Sequence, residues 1–154
     1  MIKLKTSIKD IEEMAEKVTK TIEDCVVEEF IEWARKDDEY LRSNEGFFNR
    51  TGNLRSSLGA AVYKDARMVF CTPFQTVMNG ARGSSEGRAA AERLAGTMTS
   101  LIAKVMIAGM DYAQKVEDID SKDVLESRRI QCEREAKDVM ERAMQKAVQR
   151  IRLL

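Results

Sequence analysis

Ile8, Ile11, Ala15, Val18, Ile22, Val26, Phe30 and Trp33 recur at steps of three or four. That spacing puts all of them on one face of a single α-helix, and the period of two in a strand cannot produce it. The other face carries Glu12, Glu13, Glu16, Lys17, Lys20 and Glu23, which reads as a solvated surface. Ser7 precedes Asp10 by three in the S-x-x-D capping pattern, so a helix is expected over about 8–38. At 1.5 Å per residue it is about 45 Å long. A second periodic stretch lies near the other end: Leu125, Cys132, Ala136, Val139, Ala143, Ala147 and Ile151. It predicts a helix over 122–152, capped by Asp120 or Ser121, whose alanines allow close approach. Each striped helix must bury its stripe against another element.

The segment between them supplies that element. LGAAVYKD and RMVFCT hold Val62, Tyr63, Val69 and Phe70, residues that favour strands. They predict a strand pair within about 57–72. Its turn, Lys64–Arg67, has Asp65-Ala66 where Asp-Gly is the usual signal, so it is either longer or strained. Pro73 ends the second strand, since it cannot donate to a ladder. Residues 73–97 read as an insertion: a loop at Gln75–Ser85, then a short helix at Glu86–Ala95 capped by Ser84 or Ser85. Residues 98–109 read as a further strand, apolar on both faces and therefore central. The expected fold class is α+β. A single domain over 1–154 has an antiparallel sheet of about three to four strands, packed by a long N-terminal and a long C-terminal helix.

Chemistry is sparse. Histidine is absent, which removes His-based triads, bases and metal ligands. Gly80-Ala81-Arg82-Gly83 is no phosphate-binding loop, because the Lys-Ser/Thr end is missing. Asp37-Asp38 and Asp118–Asp120 read as helix-end and turn residues. Asp118, Asp120 and Asp123 lack the glycine and final Glu of a calcium loop. Cys25, Cys71 and Cys132 are widely spaced, so free thiols in a reducing cytosol are expected. Lys+Arg and Asp+Glu are both 26, without the basic excess of a general nucleic-acid binder. MIKLKTSIKD turns polar too early for a signal peptide. No apolar run approaches the roughly 20 residues of a membrane span. No enzyme, metal or cofactor is expected.

The irregular segments are the better candidates for function. Glu39–Arg50 and Gln75–Ser85 read as long loops that carry aromatic and Arg residues, a composition suited to interfaces. The candidate contact residues are Phe47, Phe48, Arg50, Asn53, Arg55, Met78, Arg82 and Arg88, of which the loop pair Phe47 and Phe48 either tucks under the core or meets a partner. Thr51 reads as the N-cap of a short turn with Leu54 pointing inward. Tyr112 and Val116 share a face of another short helix and read as core.

Two motifs lie at these positions: Thr51-Gly52-Asn53-Leu54-Arg55-Ser56-Ser57, and Tyr112-Ala113-Gln114-Lys115-Val116-Glu117. With the long helix before them and the helix after them, they resemble the tail-completion, or head–tail joining, family of long-tailed phages and prophages. The likeness covers roughly residues 45–150. The chain departs from the family pattern at Asp118-Ile119-Asp120, where a glycine is common, and in its hairpin. The resemblance implies a structural virion protein of the phage neck, assembled in the host bacterial cytoplasm. Its subunits, monomers in isolation or already assembled, would form a ring in the virion between the head connector or stopper and the tail tube or tail terminator. DNA would pass through the lumen without specific binding, and no membrane or cofactor is implied. A different class remains open: a small intracellular adapter that binds a protein through the loop around Thr51.

Overall fold

The computed structural model describes residues 7–119 and 122–154. Helix α1 spans Ile8–Ser43 and α2 spans Asn53–Ser56. Strands β1 (Leu58–Lys64) and β2 (Arg67–Cys71) follow, then α3 (Ala81–Ala95) and β3 (Ile102–Ala108). Helices α4 (Ala113–Asp118) and α5 (Glu126–Ile151) complete the order. The fold is α+β, with a three-stranded antiparallel sheet in the order β2-β1-β3.

The sheet is the middle of three layers. On one face Ala60, Val62 and Ile102 pack against Phe30, Ile31 and Ala34 of α1. Met106 packs there too, with Trp33 of α1 and Cys132 and Val139 of α5. On the other face Ala61, Tyr63 and Ile107 pack against Phe74 and against Ala91 and Leu94 of α3. The period of two in the strands thus feeds two separate cores. Tyr63 is fully buried, and its hydroxyl donates to the Ala91 carbonyl at 2.7 Å. Burial and the nearby Cys71 push its phenol up to about 12.

The central strand is β1, buried along all but its last residue. The expectation that residues 98–109 form the central strand is corrected: β3 begins at Ile102 and is an edge. It is apolar on both faces because helices cover both faces, not because strands flank it. The hairpin turn has two residues, and Asp65 and Ala66 both stand at positive φ, 50° and 60°. That is the pattern of a type I′ turn. Without the usual glycine, Ala66 bears the strain.

Three helix boundaries also differ from expectation. Helix α1 runs to Ser43, so Glu39–Ser43 belongs to a helix and not to a loop. Arg35-Lys36-Asp37-Asp38-Glu39 hides the stripe in sequence, yet Asp37 and Leu41 continue it and both are fully buried. Helix α3 begins at Ala81 and not at Glu86, and no side chain caps it. Gly83 and Gly87 set its position, because a Cβ on either would strike its neighbours. Helix α5 begins at Glu126, and the expected caps Asp120 and Ser121 lie outside the described residues.

Helices α1 and α5 run antiparallel. Glu28 meets Arg150, Glu29 meets Lys146 and Arg142, and Asp37 meets Arg128. At the buried end of this seam, the Asp37 carboxylate holds both Arg128 Nε, at 2.8 Å, and Lys104 Nζ of β3. Arg128 also donates to Glu135, whose second partner is Trp33 Nε1 at 2.8 Å. Burial pulls the Arg128 guanidinium down, but its bonds to Glu135 and Asp37 outweigh that and hold it above its ordinary value. Burial raises the Cys132 thiol, while nearby Lys104 opposes the rise.

Candidate contact groove

The first motif is held by backbone contact. Gly52 sits at φ +85°, and a Cβ there would lie 1.9 Å from the Val77 carbonyl oxygen. Only glycine meets both demands. A Cβ at Gly83 would likewise lie 1.9 Å from the Asn53 carbonyl oxygen. Asn53 Oδ1 accepts from the Gly83 amide at 3.1 Å, and Ser56 Oγ accepts from the Val77 amide at 2.8 Å. Segments 51–57 and 76–83 therefore form one body, where the sequence suggested a short turn and a separate loop. Thr51 does not cap α2: Gly52 occupies the cap position, and Thr51 Oγ1 lies 3.4 Å from the Asn53 amide.

Arg55 belongs to that body. Its Nη1 and Nη2 donate to the carbonyls of Arg42 and Asn44, at 2.9 and 2.8 Å. Those are among the carbonyls at the C-terminal end of α1, which lack helical partners. Glu117 of the second motif does the converse at the start of α5. Its Oε1 accepts from the amides of Leu125 and Glu126, at 2.8 and 2.7 Å. One charged residue of each motif, Arg55 and Glu117, thus satisfies the end of one long helix.

The two motifs meet around one apolar cluster of Leu41, Phe47, Leu54, Leu58, Met110, Ala113 and Val124. Above it opens a groove of about 270 Å³. Phe48, Asn49, Arg50, Thr51 and Leu54 line one side; Tyr112 and Val116 line the other. Phe48 is 83% exposed. Tyr112 is 36% exposed, so the expectation that it is a core residue is corrected. Burial raises its phenol above the usual value, and Arg82 opposes that rise. The lining holds no carboxylate, thiol or imidazole. It offers an aromatic face, a guanidinium and small polar groups, which suit contact with another macromolecule.

The candidate residues separate into three sets. Phe48 and Arg50 line the groove, with Met78 exposed at φ +53° and its sulfur 3.8 Å from Asn49 Nδ2. Phe47 is corrected to a core residue, 5% exposed, with the Arg55 guanidinium 5.3 Å from its ring centre. Asn53 and Arg55 are corrected to residues that hold the body together. Arg82 and Arg88 are exposed on α3, Arg82 there in place of the expected loop, and line other shallow clefts. Sequence reasoning missed the Asp37 cluster. Its signal was register: Asp37 stands four residues from both Trp33 and Leu41 on the buried stripe.

Among the described residues, no group of three His, Cys, Asp or Glu side chains is placed to hold a metal ion. No described helix is long and apolar enough to cross a membrane. No family model, curated protein or solved structure matches the chain.

Proposed function

We propose that this chain is a structural neck protein of a long-tailed phage or prophage, a tail-completion subunit that acts without catalysis or cofactor. In this reading, copies form a ring in the virion between the head connector or stopper and the tail tube or terminator. The observation that supports it most is the meeting of the two motifs around one groove. Segments about 60 positions apart in sequence join the ends of both long helices there and leave Phe48 and Arg50 outward. Apolar and Arg side chains at an open rim are what a protein partner buries. Zero formal net charge suits a channel through which DNA moves without adhering, since phosphate binding grows with the number of neutralising cations.

The double variant Phe48→Ser, Arg50→Glu tests this reading. Both side chains are exposed, so its circular dichroism should match the parent. In an infection complementation assay it should leave heads and tails unjoined. Normal complementation would remove the groove from the joining surface. The same open groove also favours the adapter reading, in which the partner is not a virion protein. Co-purification with head or tail proteins separates the two.

A further inference from the structure

Strand β3 has an open side. It bonds to β1 through alternate residues: the Asp65 amide donates to the Leu101 carbonyl at 2.9 Å, and the Gly109 amide to the Ser57 carbonyl at 3.1 Å. Stepping by two along the register between those pairs turns Ala103, Val105 and Ile107 toward β1 as well. The N–H and C=O groups of Ile102, Lys104, Met106 and Ala108 therefore point the other way. Among the described residues none of them has a partner. Lys104 shows the opening directly. Its side chain is only 6% exposed, yet the whole residue is half-buried, so its exposure lies mainly in its main chain.

The other edge of the sheet is blunted. Strand β2 has five residues, slips register opposite Val62 and Tyr63, and is followed closely by Pro73. Such features keep edge strands from pairing further. Strand β3 has seven residues, pairs without a break and holds no proline. Its single charge, the Lys104 ammonium, is already held by Asp37 of α1.

Beside the open edge, a cleft of about 450 Å³ lies between β3 and the second half of α3. Met106 and Ala108 line it with the apolar side chains of Ala90, Leu94 and Ile107. Arg93 is the charged residue of its lining and is exposed. The helical neighbours of Arg93 at three and four positions are Ala89, Ala90, Gly96 and Thr97, none of them acidic. Glu86 and Asp111 line the adjoining cleft with Arg82 and Arg93, but among the described residues neither forms an ion pair with Arg93. The cleft shares no residue with the groove at Phe48.

We propose that β3 takes up an extended segment of another protein as a fourth strand. That segment places an apolar side chain in the cleft and a carboxylate two residues away against Arg93. Main-chain bonds to the open residues hold it, and its alternate side chains select it. A second copy of this chain does not fit, because neither β2 nor β3 carries a carboxylate to meet Arg93. The contact is additional to the groove and stands whether or not the chain is a neck protein.

Amide hydrogen exchange of the whole chain, read by NMR, is the test. In the free protein the amides of Ala103, Val105 and Ile107 should be protected, while those of Ile102, Lys104, Met106 and Ala108 exchange quickly. The probe is the capped peptide Thr-Ile-Thr-Glu-Thr-Ile-Thr, in which Ile and Glu share a face. At millimolar concentration it should slow the open amides and leave the other three unchanged. A fully N-methylated copy, which keeps the side chains and lacks the donors, should have no effect. Replacing the Glu of the peptide with Lys should weaken binding by up to about fivefold, and Arg93→Glu in the protein should reverse that preference. Protection of the four amides in the free protein overturns the proposal; a dimer on sedimentation would then make a second copy the occupant. Failure of the Glu peptide to slow them, or equal slowing by the N-methylated copy, overturns it too. An Arg93→Glu variant that still prefers the Glu peptide overturns the acidic segment.

Discussion

The seam between α1 and α5 buries charge, whereas the body around Gly52 buries bare backbone. At the seam, one fully buried carboxylate, Asp37, balances Lys104 and Arg128. At the body, Gly52 and Gly83 let carbonyl groups approach where any side chain would collide. The two solutions respond oppositely to loss and gain of atoms. A buried ion cluster fails when a partner is removed, because the remaining charges stay desolvated. A glycine contact fails when atoms are added.

The largest effect is expected at the seam. Asp37→Ala leaves two buried cations facing each other and should cost about 3–5 kcal/mol in urea unfolding. Replacing Asp37, Lys104 and Arg128 together with Leu, Met and Met should recover most of that loss. If the single variant costs under about 1 kcal/mol, water reaches the cluster and the contrast with the Gly52 body disappears.

The next effect tests the body by its sign. In an exposed helix, Gly→Ala stabilises by about 0.8–1.0 kcal/mol. Gly83 lies in α3, yet its new Cβ would stand 1.9 Å from the Asn53 carbonyl oxygen. Gly83→Ala should therefore lower stability, by about 1–3 kcal/mol. A raised melting temperature would show that α3 moves freely off the first motif. The hairpin supplies the reverse case, a left-handed position without glycine. Ala66→Gly should stabilise the protein by about 1 kcal/mol, read by the same unfolding assay. A loss would mean that the turn relaxes away from positive φ.

The smallest effect lies at the rim of the seam. Bonds from Arg150, Lys146 and Arg128 hold Glu28, Glu29 and Glu135 below the ordinary value of 4.5. Their folded pKa is depressed, so their stabilisation is complete above about pH 4.5 and is lost as pH falls through the lower folded values. Glu135 is partly exposed, so Glu135→Gln should cost under about 1 kcal/mol at neutral pH. It should also flatten the dependence of stability on pH in acid. An unchanged acid limb would place the acid sensitivity elsewhere.

Legibility followed the kind of interaction. The apolar periods from Ile22 to Trp33 and from Cys132 to Ala147 announced both long helices, because burial by period is local information. Val62 and Val69 announced strands, although strand order was not readable. Central and edge strands look alike once helices cover both faces, as β3 shows. Asp37 broke the pattern that would have carried α1 to Ser43, since its partners lie 67 and 91 positions away. The groove was legible only in pieces. Phe48 and Arg50 could be chosen by composition, but Tyr112 comes beside them through folding alone. Arg55 resembled an interface arginine because a helix-capping role depends on where Arg42 and Asn44 end.

Translation gives the antiparallel seam a direction in time. The chain leaves the ribosome amino end first, so Asp37 and Lys104 emerge before Arg128, and Glu28 waits for Arg150, 122 positions later. The three strands already have their neighbours by then, while the α5-facing side of α1 has none. Trp33 and the Asp37 carboxylate then have only β3 beside them, through Met106 and Lys104, and lack their α5 cover until the final helix is made. A nascent chain stalled before Glu126 presents that surface to its surroundings, and exposed apolar surface of this kind is what chaperones bind and aggregates grow from.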